Sequence, residues 1–365
     1  VRADPSSQPA AAPAPDSPGA EEGVRIETLD EGAVAEWDAF VAEAGGTLYQ
    51  RAGWAGIIER AFGQKPLYRL ARHGGRVEGV LPLVAFANPW FGRYLVSVPY
   101  LNRGGILAAS ERARQALLAE ATRLVTETRS AFCELRHVQP VSETLPRRMN
   151  KISMSLDITC GPDALWKAIG PKVRNLVRKS EKSGVQVREG DPEKDLGAFY
   201  EVFAANMRDL GTPVYDPAFF REVFATFPRE ARLLLAEWEG KAAAAGICLT
   251  HGAFTEMHWA ASRRELRGLS PNMILYWEAI TRAARDGIAE FCFGRSTEGS
   301  GPHRFKKQWG AVPTPLAWEY ILPPGKSLPA LNPDNPKYRL AVWLWQRLPL
   351  AWTKKLGPPI VRHIP

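Results

Sequence analysis

Cysteine is scarce in this 365-residue chain: Cys133, Cys160, Cys248 and Cys292 lie far apart, with no CxxC pair. That spacing excludes a zinc knuckle and a dense disulfide framework, and fits buried thiols in a reducing compartment. The six histidines are scattered and suggest no Ser-His-Asp or Cys-His arrangement, so a covalent acyl-enzyme is not expected. No metal site is expected either. Neither GxxxxGK[ST] nor GxGxxG occurs, which removes the P-loop and dinucleotide-binding readings. No apolar run is long enough to span a bilayer, and no apolar segment behind a basic stretch opens the chain. A cytoplasmic protein is the expectation.

The remaining composition is that of a folded chain, with 45% hydrophobic and 24% charged residues. The length suits two domains of roughly 130–170 residues. A net charge of +8 fits a partner carrying phosphates or an anionic membrane face. Charge alone leaves nucleotide, RNA and lipid head group open.

Residues 1–23 are rich in Pro, Ala and Ser and read as a disordered leader. From residue 24 the periodicity predicts strand, two helices, a hairpin turning at His73-Gly74-Gly75, a further strand, a long helix over 110–129 and the strand FCELRHV. A second half begins near Lys151 and repeats much the same order. Its first helix is predicted as one piece over 164–184. The expectation is an α/β (α+β) protein of two tandem units over 24–150 and 151–322, with mixed, mostly antiparallel sheets flanked by helices. An extension, 323–365, carries one amphipathic stretch, YRLAVWLWQRLPLAWTKKLG.

Four segments could carry chemistry. In PKVRNLVRKSEKSG, Arg174, Arg178 and Lys182 are four apart and share a helical face, near Lys172 and Lys179. Such a face either grips an anion through guanidinium N–H pairs or is simply solvated. In FAANMRDLGTPVY, Asn206, Arg208 and Asp209 end a helix capped at Gly211 and lead into Tyr215. Asp209 could orient or deprotonate an attacking amine, or merely pair with Arg208. In HWAASRRELRGLSPNMILYWE, Trp259 ends a strand, and Ser270-Pro271-Asn272 opens the helix carrying Tyr276. The most specific segment is CFGRSTEGSGPHRFKKQWGA, where glycines surround Arg295 and Ser296 and lead into Arg304, Lys306 and Lys307. Glycines let backbone N–H groups approach a phosphate, and these cations supply the opposite charge.

Together FAANMRDLGTPVY, WAASRRELRGLSPNMILYWE and FGRSTEGSGPHRFKKQWGA resemble the FemAB family, especially its branch associated with exosortase and PEP-CTERM exopolysaccharide loci. PKVRNLVRKSEKSG is similar to the opening helix of a related BioF2-like acetyltransferase domain. The likeness runs from AFGQKPLYRLARHGGRVEGVLPL to NPKYRLAVWLWQRLP. It implies two GNAT-like domains facing one another across a cleft. It also implies transfer of an acyl or aminoacyl group to an amine or hydroxyl of a cell-envelope or exopolysaccharide-related acceptor. No permanently bound cofactor is implied; the activated donor would be aminoacyl-tRNA or an acyl thioester.

Carried over to this sequence, the resemblance makes Lys306 the charge stabiliser, with Lys307 its neighbour. Asp209 is then the base or amine-orienting group. Arg174, Arg178, Arg295 and Arg304 form the expected anion clamp, and Trp259 and Tyr276 the apolar wall, with Asn206, Arg208, Tyr215, Asn272 and Ser296 lining the substrate site. The expected partner is a phosphate-bearing donor or acceptor, with tRNA one candidate for it; DNA is not expected. Residues 338–362 are a candidate for peripheral contact with an anionic inner membrane, or for a helix packed on the second domain. A non-catalytic scaffold and an RNA-binding module are the alternative readings.

Overall fold

The computed structural model describes residues 23–88, 92–328 and 336–364. The expected leader therefore lies, apart from Gly23, outside the described residues.

The first unit runs β1 (Arg25–Thr28), α1 (Val34–Glu43), α2 (Gly53–Phe62), β2 (Lys65–His73), β3 (Arg76–Asn88) and β4 (Gly92–Ser97). It continues through β5 (Leu107–Ala108), α3 (Glu111–Glu127), β6 (Cys133–His137) and β7 (Arg147–Arg148). The second unit opens with β8 (Lys151–Asp157), α4 (Gly161–Ala168), α5 (Pro171–Lys182), β9 (Gln186–Gly190), α6 (Pro192–Leu210) and α7 (Pro217–Thr226). Then come β10 (Ala231–Trp238), β11 (Lys241–His251), β12 (Phe254–Ser262), α8 (Pro271–Arg285), β13 (Glu290–Thr297), α9 (Gly301–Lys307) and β14 (Val312–Pro315). The chain ends with β15 (Ala317–Ile321), α10 (Pro336–Trp345) and α11 (Leu350–Val361).

The expected repetition is present at the level of topology. In each half a short strand, two helices and a three-stranded antiparallel meander lead into one long helix. A last strand then returns parallel to the third meander strand, β6 beside β4 and β13 beside β12. The first sheet has the order β1-β2-β3-β4-β6-β15-β7, with β5 on β3; the second is β14-β8-β13-β12-β11-β10-β9. The two sheets are not independent. Strand β15 falls within the expected second unit (151–322), yet it pairs with β6 and β7 of the first sheet.

Two local departures have simple causes. The helix expected over 164–184 is broken at Ile169-Gly170-Pro171, because proline lacks the N–H that would continue α4 and instead starts α5. The amphipathic stretch after residue 336 is likewise two helices, parted before Pro349. Three cysteines are buried as expected, whereas Cys160 is exposed, and all four are free.

The second sheet is covered on both faces. Helices α4, α5 and α8 bury one face around Phe291, Phe293, Met257 and Trp309. The opposite face, with Leu233, Ile247 and Trp259, joins α6, α7 and the first unit in one continuous core containing Trp37, Trp54 and Phe62. Among the described residues no helix is long and apolar enough to cross a membrane.

The exchanged strand is locked to the first sheet by His137. Its Nε2 accepts from the Ile106 N–H at 2.8 Å, so its Nδ1–H donates to the fully buried Glu319 carboxylate of β15 at 2.9 Å. Glycine is required at position 105, since a Cβ there would sit 2.2 Å from the His137 ring nitrogen. Gly105→Ala is expected to destabilise the protein by about 1–3 kcal/mol, through displaced packing; thermal or denaturant unfolding measures it, and an unchanged midpoint would contradict the His137 lock.

Candidate active site

Two β-bulges aim charged side chains at the seam between the units. In β12, Met257 lies opposite Cys248 and Trp259 opposite Ile247, which leaves His258 as the extra residue. A bulge flips the alternation of a strand. Met257 therefore faces the α8 side, while Trp259 faces α7. Strand β13 has its own bulge, between Cys292 and Arg295 against β8, with Gly294 at φ 76°. Strands β12 and β13 pair only from Phe254 to Glu256 and from Glu290 to Cys292. Beyond that point no pairing joins them, and the site is built where they part.

Glu256 stands at the parting point, 1% exposed. Its Oε1 accepts from Asn102 Nδ2 at 2.7 Å and lies 3.0 Å from His258 Nδ1. The Tyr49 hydroxyl is 3.1 Å from the same imidazole nitrogen, and Arg103 lies 3.9 Å from Oε2. Burial alone would raise this carboxyl. The imidazole and guanidinium beside it prevail and hold it at about 2. Tyr49, Asn102 and Arg103 belong to the first unit, and Glu256 and His258 to the second, so one ionised carboxylate pins the halves together.

The neighbouring cation is treated differently. Arg295 stacks on the Trp318 indole of β15 at 5.0 Å, and Arg136 lies over the same ring at 4.4 Å. Arg136 is satisfied: it donates to Glu134 at 2.8 Å and to the Leu101 carbonyl, while the Tyr320 hydroxyl donates to Glu134 at 2.6 Å. The Arg295 guanidinium makes no hydrogen bond or ion pair among the described residues. Its side chain is open to solvent, yet the surrounding protein and Arg136 push the guanidinium down to about 10. Such a group, exposed in area yet crowded by protein, lies on the floor of the seam between the units.

Three more groups face this floor. Lys306, nearly buried on α9, donates to the carbonyls of Gly294 and Arg295, each at 2.9 Å. An ammonium has three donors, so one remains. Desolvation brings Lys306 to about 8, so it is still mainly protonated at neutral pH. Lys151 donates to Thr297 Oγ1 at 2.7 Å and is lowered by burial and by Arg295. Burial raises the Tyr215 phenol while Arg295 and Arg136 oppose it, so the hydroxyl stays a donor. Ser296, next to Arg295 in the regular part of β13, turns its buried hydroxyl to the opposite face, where it has no partner among the described residues.

The structure thus unites Lys306, Arg295 and Tyr215, and separates the other predicted residues, Ser296 included. Arg174 donates to the carbonyls of Trp166, Lys167 and Ile169, which ends α4, and Arg178 stacks on Trp166 at 5.3 Å. The expected clamp therefore loses both: they are helix-end and indole partners on the outer face of the second unit, beside a groove of about 480 Å³ lined by Trp166, Trp277 and Lys167. Arg304 donates to the Gly299 carbonyl at 2.6 Å and Lys307 is exposed, and neither has a contact to Arg295 among the described residues.

The Asp209 carboxylate accepts two N–H groups from Arg208, at 2.8 and 3.1 Å. That pairing, at the end of α6, is the structural alternative to a base. Trp259 and Tyr276 do not share a wall, because the β12 bulge puts Trp259 against Phe219 and Phe220. Tyr276 instead joins Phe293, Phe305 and Trp309 beneath α9. Asn206 and Asn272 are half-buried at the end of α6 and the start of α8. Sequence reasoning missed Arg136, Trp318, Lys151 and Glu256. The signal for Arg136 was present in FCELRHV, where opposite charges two apart share one face of an otherwise apolar strand.

Residues 171–307 match the family described as acetyltransferase (GNAT) domain. No curated protein matches the chain. Among solved structures, FemX is similar at 16% identity, covering 87% of this chain and 100% of that one, with a TM-score of 0.63. L-PGS from Bacillus licheniformis is similar at 12% identity, covering 90% and 100%, with a TM-score of 0.54. A tandem GNAT protein from the clavulanic acid biosynthesis pathway is similar at 15% identity, covering 81% and 97%, with a TM-score of 0.51. The fold is therefore two GNAT-type units in tandem, as the resemblance implied.

The Glu256 network generates a pH-dependent prediction. A carboxyl held near 2 when folded and near its ordinary 4.5 when unfolded stabilises the fold above about pH 4.5, and that contribution fades as pH falls towards 2. Its size is on the order of 3 kcal/mol. Glu256→Gln should be less stable than the parent by that order at neutral pH, and the gap should close on acidification, as denaturant titrations over pH would measure. A pH-independent gap would contradict an ionised Glu256.

Proposed function

We propose that the protein is a transferase that moves an acyl or aminoacyl group from a phosphate-bearing activated donor to an amine or hydroxyl of a cell-envelope acceptor, in the cleft between its two units. The observation that carries this reading is Arg295. An exposed guanidinium with no protein anion is free to take one from a ligand, and a planar fork stacked on Trp318 suits phosphate. Lys151 adds a second positive charge beside it.

The chemistry follows from what surrounds that anion site. The acceptor nitrogen or oxygen forms a bond to the donor's carbonyl carbon, and negative charge develops on the carbonyl oxygen. The remaining N–H of Lys306 is a pre-set donor for that oxyanion, because two carbonyls already fix the ammonium. The tetrahedral species then collapses as the C–O or C–S bond to the donor breaks, and the leaving group takes the acceptor's proton. Tyr215 remains protonated and supplies a further hydrogen bond.

The matched acetyltransferase (GNAT) domain contains Arg295 and Lys306, which supports acyl transfer as the reaction class. The resemblance to the FemAB family supports aminoacyl-tRNA or an acyl thioester as donor and a cell-envelope acceptor, and FemX and L-PGS share the fold. The finer placement, in the branch associated with exosortase and PEP-CTERM exopolysaccharide loci, rests on the motifs around Gly211, Trp259 and Lys306 alone.

The donor is identified first, by mass spectrometry of small molecules and tRNA that co-purify with the protein, and transfer is then measured with it. Lys306→Ala should lower the transfer rate by roughly 100- to 1,000-fold, the usual effect of removing one oxyanion donor. The wild-type rate should fall as pH rises through about 8, where the Lys306 ammonium loses its proton. Arg295→Ala should instead weaken donor binding by about tenfold to a hundredfold. Wild-type rates for Lys306→Ala would remove it from the mechanism. RNA binding without any acyl product, or no turnover with any donor, would favour the RNA-binding module or the scaffold.

A further inference from the structure

The C-terminal helices α10 and α11 are tied down on their inner side. Tyr100 and Gln64 donate to the Arg362 carbonyl at 2.8 and 2.7 Å, and Tyr94 donates to that of His363 at 2.8 Å. On the second unit, Gln346 donates to the Asp209 carbonyl at 3.0 Å, Lys354 pairs with Glu201, and Gly357 lies directly against the backbone of Val214. Thr353, Gly357 and Val361, four apart, form the buried row of α11.

The outer side is apolar where a helix on a domain surface is ordinarily polar. Leu340, Trp343 and Leu344 on α10, and Trp352, Leu356 and Ile360 on α11, are between 38% and 62% exposed. Their spacings of three and four residues put each set on one helical face. Arg347 stacks on Trp343 at 3.8 Å. From Pro336 to the end of the chain the basic residues are Lys337, Arg339, Arg347, Lys354, Lys355 and Arg362, with no aspartate or glutamate.

We propose that this outer face of α10 and α11 docks on an anionic lipid surface, with the tryptophans and leucines entering the head-group region. Tryptophan prefers that depth, and cations flanking an apolar face are drawn to anionic lipid. A second copy of the chain fits poorly. In a two-fold contact the same patch meets itself, which would set cations against cations with no carboxylate from either stretch between them. Docking would also seat Val214 and the cleft residue Tyr215 directly behind the membrane-facing helices, where an acceptor carried on a lipid would arrive. The surface stands independently of the transfer reaction, so binding and turnover are separable.

The test is sedimentation of the full chain with phosphatidylcholine vesicles, with and without phosphatidylglycerol, alongside size-exclusion light scattering. Binding is expected only to the vesicles containing phosphatidylglycerol, and should weaken as salt rises. The triple variant Trp343→Ser/Trp352→Ser/Leu356→Ser should keep the parent's melting temperature and bind at least about tenfold more weakly. Arg339→Gln/Arg347→Gln/Lys355→Gln should weaken binding while leaving the apolar face intact. Absence of binding to the anionic vesicles would overturn the proposal, as would equal binding by the triple variant. A dimer in solution that the triple variant abolishes would overturn it in favour of a second copy.

Discussion

A carboxylate that must stay ionised inside the protein holds this molecule in shape. Glu256 can keep its charge at 1% exposure only while Asn102, His258, Tyr49 and Arg103 surround it. Three of those groups come from the opposite unit, so neither half can move without exposing an unpaired buried charge. The exchanged strand β15 adds a second tie, through Glu319 on His137. Rigid facing walls are what a cleft for an activated donor requires, because the reacting groups must be placed before charge develops.

The charge arithmetic at the seam separates structure from function. Glu134 neutralises Arg136 and Glu256 sits beside Arg103, while Arg295 lies between these pairs with an aromatic face and no carboxylate. Lys306 spends two of its donors on backbone carbonyls, which fixes its direction without neutralising it. Cations left over after every internal pairing, in a place solvent can reach, mark where an anion belongs. By the same test Arg174 and Asp209 are structural, since each is consumed by a local partner.

Periodicity and turn residues carry most of the architecture in the sequence. The hairpin at Gly74-Gly75, the cap at Gly211 and the long helices over 111–127 and 271–285 all follow from spacing and from positive-φ glycines. The repeated order of elements was legible for the same reason. The part of the site on α9 was legible because donors, glycines and aromatics crowd one short segment. What crosses the seam was not. The partnership of Arg295 with Trp318 depends on β15 leaving its own half, and no local pattern announces that exchange. The separation of Trp259 from Tyr276 depends on one extra residue, His258, whose bulge reverses the alternation of β12. Equal spacing of Arg174 and Arg178 showed a shared face, and could not show that α4 and its tryptophan already occupy it.

The most direct measurement is arginine-selective modification with a dicarbonyl reagent, read by peptide mass spectrometry with and without inorganic pyrophosphate or the co-purified donor. If the cleft floor is the anion site, Arg295 is protected by the ligand and Arg178 reacts as before. Protection of Arg178 with Arg295 unchanged would contradict the account and return the anion to the outer basic helix.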